Sequence, residues 1–351
     1  MFLHGIFPPL TTPFDRDGAF YPKKLEHNVA LYSRTPVAGM VILGSTGEAV
    51  MLNDDEYRQV LRVAREAAEP EKVLLAGTGV ESARNTLLLI EYAAKLGYDA
   101  ALVRTPHFYR PSMKPENLLA YYRTVADRSP LPVVLYSVPP FTAYDLPVEV
   151  VAQLAEHRNI IGIKESSGNV EKVRALVEAT RHVKRSAEVT DVFLAVTGRM
   201  KAAPANGGSG DLISPAALVG ASPPAAVATA PKLKTRSKEV GFQVLVGSAH
   251  TLLPSLEAGG VGAVLAFASA APTACYEVYT AFKEGNAVLA REKQERITGP
   301  SKRVAAEFGI AGLKYAMELN GYYGGPPRLP LLPPTADVKA EIERLMANLK
   351  N

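Results

Sequence analysis

The 351-residue chain holds a single cysteine, Cys275. One thiol excludes an intramolecular disulfide and suits a reducing compartment. Long apolar runs are missing too. The most apolar stretch, Val261 to Ala274, is too short to span a bilayer and is interrupted by Gly262 and Pro272. The chain also has no block of lysine and arginine; its net charge of +4 is scattered, which argues against nucleic-acid or membrane-surface binding. The histidines (His4, His27, His107, His157, His182 and His250) form no His-x-x-x-His pair, so no metal site is expected. A strand-like run, Gly5–Leu10, begins almost at once and leaves no room for a signal peptide. These absences predict a cytoplasmic protein that works without metal, nucleic acid or membrane.

What is present is ample core material, 47% apolar residues against 21% charged. Short apolar runs alternate with longer amphipathic stretches every 30 residues or so, about the length of a strand–helix unit. The strand candidates are Gly5–Leu10, Gly39–Leu43, Val73–Gly77, Ala100–Val103, Val133–Tyr136, Ile160–Lys164, Phe242–Val246 and Val261–Phe267. Between them lie helix-like segments such as Asp54–Ala68, Ala83–Leu96, Pro115–Arg128, Pro147–Glu156 and Val170–His182. That alternation predicts an α/β fold, a (β/α)₈ TIM barrel, with a doubly wound open sheet as its main competitor. One interval breaks the rhythm. Residues 186–238, between the sixth helix and the seventh strand, are rich in Pro, Ala, Gly and Ser and read as a flexible insertion in which Val192–Val196 forms one local strand. Such a connection belongs at the face opposite the active site. The expected division is a barrel over 1–275, then the last barrel helix and a C-terminal helical appendage over 276–351.

Three motifs fall at expected strand ends, where barrel enzymes keep their reactive groups. Gly44-Ser45-Thr46-Gly47-Glu48 follows the second strand, and its hydroxyls and backbone N–H groups suit a carboxylate. By itself it is a simple turn, with Glu48 free to cap the next helix. Tyr136-Ser137-Val138-Pro139-Pro140 ends the fifth strand with a phenol able to move protons. The third is Ile160-Ile161-Gly162-Ile163-Lys164, an apolar run that ends on lysine and continues Glu165-Ser166-Ser167-Gly168. Lysine is seldom fully buried. At the mouth of a core its amine fits Schiff-base chemistry, which at neutral pH calls for a pKa roughly 3 below the ordinary lysine value. Each motif has a structural alternative; together they mark one rim. Gly77-Thr78-Gly79 resembles the start of a dinucleotide loop but lacks the third small residue, so no nucleotide cofactor is expected.

Gly-Ser-Thr-Gly-Glu, Tyr-Ser-Val-Pro and Ile-Gly-Ile-Lys-Glu-Ser-Ser-Gly, in this order and spacing, resemble the dihydrodipicolinate synthase / N-acetylneuraminate lyase superfamily. The resemblance implies a TIM-barrel Schiff-base lyase, without cofactor, acting on pyruvate or another small 2-oxo acid and assembled as a homo-oligomer, as a tetramer by family habit. It implies that Lys164 forms the imine, that Tyr136 and Thr46 relay protons, and that Ser45, Thr46, Ser166 and Gly247 contact substrate. Two positions depart from the pattern. Phe141 stands where the synthases usually carry a carboxylate-binding arginine, and Phe108 stands at a relay tyrosine, with Tyr109 beside it. Leu74–Ser82, Val133–Pro139, Phe308–Lys314 and Gly321–Pro326 resemble the 4-hydroxy-2-oxoglutarate aldolases within this superfamily. The expectation is therefore a metal-independent aldolase that cleaves 4-hydroxy-2-oxoglutarate to pyruvate and glyoxylate. The alternatives are dihydrodipicolinate synthesis from aspartate semialdehyde, a sugar-acid lyase or dehydratase, and a barrel that binds a 2-oxo acid without turnover.

Overall fold

Eight apolar runs close into a parallel barrel in the computed structural model, which describes residues 1–202 and 233–349. The strands are β1 (Gly5–Phe7), β2 (Gly39–Ile42), β3 (Val73–Gly77), β4 (Ala100–Arg104), β5 (Val133–Ser137), β6 (Ile160–Glu165), β7 (Ser186–Thr190), β8 (Thr235–Glu239), β9 (Gln243–Val246) and β10 (Gly262–Val264). All but β7 and β8 form one sheet in the order β1-β10-β9-β6-β5-β4-β3-β2. Closure comes from β1 meeting β2: Ala38 N donates to Ile6 O, Val41 N to Pro8 O and Leu10 N to Val41 O. The first strand is shorter than its apolar run because Pro8 and Pro9 have no N–H to continue a ladder. The last is shorter because the chain turns into a 3₁₀ segment at Ala266–Ser269.

Helices follow each barrel strand and pack its outer face. Local chemistry sets their ends. Asn53 caps the helix Asp54–Ala67 by accepting from the backbone N–H of Asp55 and Glu56, while the Glu56 side chain accepts from Asn53 N. Gly97, in the left-handed region, stops the helix Ala83–Leu96. Within the barrel a separate cluster fills the lumen, including Leu3, Phe7, Val41, Leu75, Leu102, Val134 and Leu245, so the centre is packed core beneath an open rim. After β10 and the helix Pro272–Lys283 come three more helices, Ala287–Ser301, Gly309–Leu319 and Ala336–Met346, with a π-helical segment at Lys302–Glu307 joining the first two. Among the described residues no helix is long and apolar enough to cross a membrane.

The insertion differs from its expected form at both ends. Its flanks pair as an antiparallel two-stranded sheet, β7 with β8, and Ala187 and Val189 bury against Phe2. The expected local strand at Val192–Val196 is displaced to β7; Val192, Phe193 and Leu194 lie exposed in the turn that follows. The next residues dock on the barrel. Arg199 is 6% exposed and donates to the carbonyls of Ala68, Glu69 and Lys72, and Thr197 Oγ1 donates to Pro70 O at 2.6 Å. These carbonyls follow the end of the helix Asp54–Ala67 and precede β3, at the face opposite the rim, and a buried guanidinium satisfies them. The Pro/Ala/Gly-rich middle of the insertion, 203–232, lies outside the described residues.

Candidate active site

Parallel strands in register bring the expected residues to one level. Tyr136 on β5 pairs with Lys164 on β6, and Lys164 pairs with Leu245 on β9, two residues before Gly247. Tyr136 and Lys164 are each 4% exposed. The Lys164 amine sits 4.1 Å from the centre of the Tyr136 ring, so the aromatic face covers one side of the nitrogen. The Tyr136 hydroxyl lies 3.3 Å from Ser45 Oγ. Ser45, Thr46 and Gly47 form a single 3₁₀ turn just beyond β2.

That turn is pinned from beneath. Thr12 Oγ1 donates to Gly47 O at 2.5 Å. Glu48, in the left-handed region at φ 53°, does not cap the following helix; Asn53 does that. Its carboxylate is buried, ion-paired with Lys314 Nζ at 2.6 Å, and accepts from Arg328 N at 2.8 Å. Burial lowers the Lys314 pKa despite the Glu48 charge that opposes it. Arg328 in turn grips Glu56 through two nitrogens, at 2.8 and 2.6 Å. The helix Gly309–Leu319, through Lys314, and the loop after it, through Arg328, thus hold the second strand's turn and the helix that follows by way of two acidic residues.

A cavity of about 550 Å³ opens over Lys164. Ser45, Thr46, Tyr136, Lys164, Ser166 and Gly247, the six residues expected from the sequence, all line it. Ser166 Oγ is buried there without a hydrogen-bond partner, a donor left for a ligand. Gly247 makes that position possible: a Cβ on it would lie 2.0 Å from Ser166 Oγ and 2.6 Å from Glu165 O. Next to Lys164, Glu165 is turned away from the cavity and held by Lys172 at 3.5 Å and by Ser167 N at 2.9 Å. The outer wall comes from the appended helices, with Ala305, Phe308 and Ile310 around the π-helical segment that follows Pro300.

Phe141 lines the cavity and is 64% exposed, whereas Phe108 and Tyr109 are exposed on the loop after β4 and do not line it. His250 lines it as well, its pKa lowered by burial and then by the charge of Lys302. His107 lies outside, 2.7 Å from Glu81. Sequence reasoning passed over Arg104. It ends the apolar run of β4 as Lys164 ends that of β6, the same signal, but the expected strand stopped one residue short of it. Among the described residues no group of three or more His, Cys, Asp or Glu is arranged to hold a metal ion.

Comparison with known proteins gives this geometry a context. The family model described as the dihydrodipicolinate synthetase family matches residues 2–187 and 226–349. A 4-hydroxy-tetrahydrodipicolinate synthase from Methanothrix thermoacetophila is 29% identical over 347 residues, covering 99% of this chain and 97% of that protein. Among solved structures, a dihydrodipicolinate synthase from Bacillus anthracis superposes with a TM-score of 0.79 at 21% identity, covering 100% of both chains. A prophage protein of E. coli from the dihydrodipicolinic acid synthase family, solved in complex with pyruvate, gives a TM-score of 0.75 at 25% identity over 99% of this chain and 98% of that one.

Proposed function

The chain belongs to the dihydrodipicolinate synthetase family, and we propose that it is a carbon–carbon lyase that joins pyruvate to an aldehyde, reversibly, through a Schiff base on Lys164. The observation that carries this reading is the Lys164 amine, enclosed at the rim against the Tyr136 ring with a free cavity above it. The amine attacks C2 of pyruvate, and loss of water leaves an iminium. Withdrawal of electrons by that cation acidifies C3; loss of a C3 proton gives an enamine, whose C3 attacks the aldehyde carbon. The Tyr136 hydroxyl supplies the proton the new alkoxide needs, and Ser45, 3.3 Å away, continues the chain of hydroxyls. Hydrolysis of the imine returns the lysine. Run backwards, the same steps cleave a 4-hydroxy-2-oxo acid. The turn at Ser45 and Thr46 receives the pyruvate carboxylate in this reading, with Ser166 Oγ as a further donor.

The relatives' shared name supports condensation with aspartate semialdehyde as the first choice of reaction, ahead of the 4-hydroxy-2-oxoglutarate cleavage expected from sequence segments. Phe141 favours keeping the cleavage as a second reading. A phenyl ring cannot make the two-pronged carboxylate contact of an arginine. Borohydride reduction in the presence of pyruvate tests the common step. Peptide mapping should find pyruvate on Lys164 and on no other lysine, and Lys164→Arg should abolish trapping because guanidinium stays protonated. Labelling that survives the substitution removes the mechanism. A panel of aspartate semialdehyde, glyoxylate and 4-hydroxy-2-oxoglutarate then ranks the finer readings by kcat/KM.

A further inference from the structure

The cavity over Lys164 has a deficiency for either of these reactions. Both aldehydes carry a carboxylate, yet Lys164 is the one lysine or arginine among the described residues lining that cavity. Phe141 shares the lining with other apolar side chains, Val138, Pro140, Leu331 and Leu332 among them. A cation does stand at the same level of the barrel, two strands away. Along β4, Ala101 and Val103 face the helices, while Ala100 and Leu102 belong to the cluster filling the lumen. Alternation therefore carries Arg104 to the inner side. Register puts it beside Tyr136, which is itself beside Lys164, so guanidinium, phenol and amine follow one another on β4, β5 and β6.

Arg104 lines a second cavity of about 80 Å³, together with Ser45, Tyr57, Gly77, Gly79 and Tyr136. That is room for a group of a few heavy atoms. Ser45 and Tyr136 line both cavities, so a molecule bound at Lys164 has this recess directly past the phenol. The guanidinium is held in place and only partly used. Its polar contacts among the described residues are all made by Nη1, which donates to Glu81 Oε1 at 3.2 Å and to Thr105 O at 3.4 Å and lies 2.6 Å from His107 Nδ1. Glu81 divides its charge: Oε2 accepts from the backbone N–H of His107 and Phe108, each at 3.0 Å, and Oε1 also meets His107. Nε and Nη2 remain for a ligand. A half-buried arginine side of this kind suits a planar anion approached edge-on.

We infer that Arg104 receives the carboxylate of the aldehyde partner, in the recess beside Tyr136, and so makes carboxylate-bearing aldehydes the substrate class. This deepens the proposed Schiff-base reading and rests on it. It also supplies the cation that position 141 lacks, from a different strand. With the carboxylate at Arg104 and the aldehyde carbon toward Lys164, the aldehyde oxygen falls near the Tyr136 hydroxyl, between the two.

The experiment compares wild type with Arg104→Met and Arg104→Lys, using pyruvate with glyoxylate, aspartate semialdehyde or propanal. Expected for Arg104→Met is unchanged concentration dependence of borohydride trapping by pyruvate alone. The ratio of kcat/KM for glyoxylate over propanal should fall by roughly 10- to 100-fold, the range for losing a charged hydrogen bond. Most of that fall should lie in the KM for the anionic aldehyde. Arg104→Lys should recover part of it. Three outcomes overturn the inference: a ratio that does not change, including equal losses for charged and neutral aldehydes, a loss that Arg104→Lys does not relieve at all, or weakened trapping by pyruvate alone, which would place the pyruvate carboxylate at Arg104. A wild-type protein that fails to trap pyruvate removes the Schiff-base reading and this one with it. Trapping with an insensitive Arg104→Met removes only this one.

Discussion

Gly247→Ala is the substitution whose effect can be worked most directly from the site. The added Cβ would meet Ser166 Oγ at 2.0 Å and Glu165 O at 2.6 Å. Ordinary carbon–oxygen contacts lie well beyond both, near the 3.5 Å optimum of dispersion contacts. The Ser166 hydroxyl can rotate away, at the loss of its place in the cavity, but the Ser166 Cβ, 2.6 Å from the new atom, stays where it is. The Glu165 carbonyl cannot rotate away either, because it is backbone on β6, paired in register with Val246 of β9. Relief of that contact needs β6 and β9 to part by up to about 1 Å at the rim, and Lys164 moves with β6. Overpacking of this kind costs about 1–3 kcal/mol of stability, and a 1 Å misplacement of a reacting group costs about 10²-fold in rate. Single-turnover trapping of pyruvate by borohydride should slow by that order, while urea unfolding reports the stability loss. Adding Ser166→Ala removes the 2.0 Å contact but leaves two at 2.6 Å, to Glu165 O and to the Cβ of residue 166, so the double variant should regain only part of the stability and none of the rate. A Gly247→Ala protein that traps and turns over within two- to three-fold of wild type would refute the argument that this glycine sets the position of β6.

Tyr136→Phe removes only a hydroxyl from a ring that stays packed against Lys164; kcat should drop by roughly 10²–10⁴ with the fold intact by circular dichroism, and a near-normal kcat would confine Tyr136 to packing. A pH effect is expected at the opposite end of the molecule. Burial, with Lys238 and then Lys283 adding to it, lowers His4 from 6.5 to about 3, so between those values the unfolded chain binds a proton the folded one refuses. Stability therefore falls as pH drops through that window, by about 2 kcal/mol between pH 7 and pH 5. In His4→Gln this portion of the slope, read from urea midpoints at the two pH values, should disappear.

Much of this protein was legible in its sequence, because much of it is local. Eight runs of β-branched and aliphatic residues at strand–helix spacing give the eight barrel strands within a few residues, and parallel strands joined by helices admit few arrangements. The lysine that ends Ile160–Ile163 is visible as an anomaly for the same reason: a charged residue at the end of a buried run needs an explanation wherever the run goes. Tyr136 and the Ser45-Thr46 turn were visible at the ends of their own runs. Strand ends were less secure, and this hid Arg104. Whether β4 stops at Val103 or includes Arg104 depends on hydrogen bonds with β5, and the alternation that turns Arg104 inward matters only once the strand reaches it.

Tertiary structure decided whatever depends on residues far apart along the chain. Glu48 reads as a helix cap from its neighbours, but its partner Lys314 arrives from the C-terminal helices and converts it into a buried ion pair beneath the turn. The insertion reads as loose from its composition, yet Arg199 finds three carbonyls of a helix end more than a hundred residues earlier, and its flanks find each other as β7 and β8. Period and composition report only which surfaces a segment must bury. Which partner buries them is fixed when the barrel closes, since unpaired polar groups and charges at that point have few places left to be satisfied.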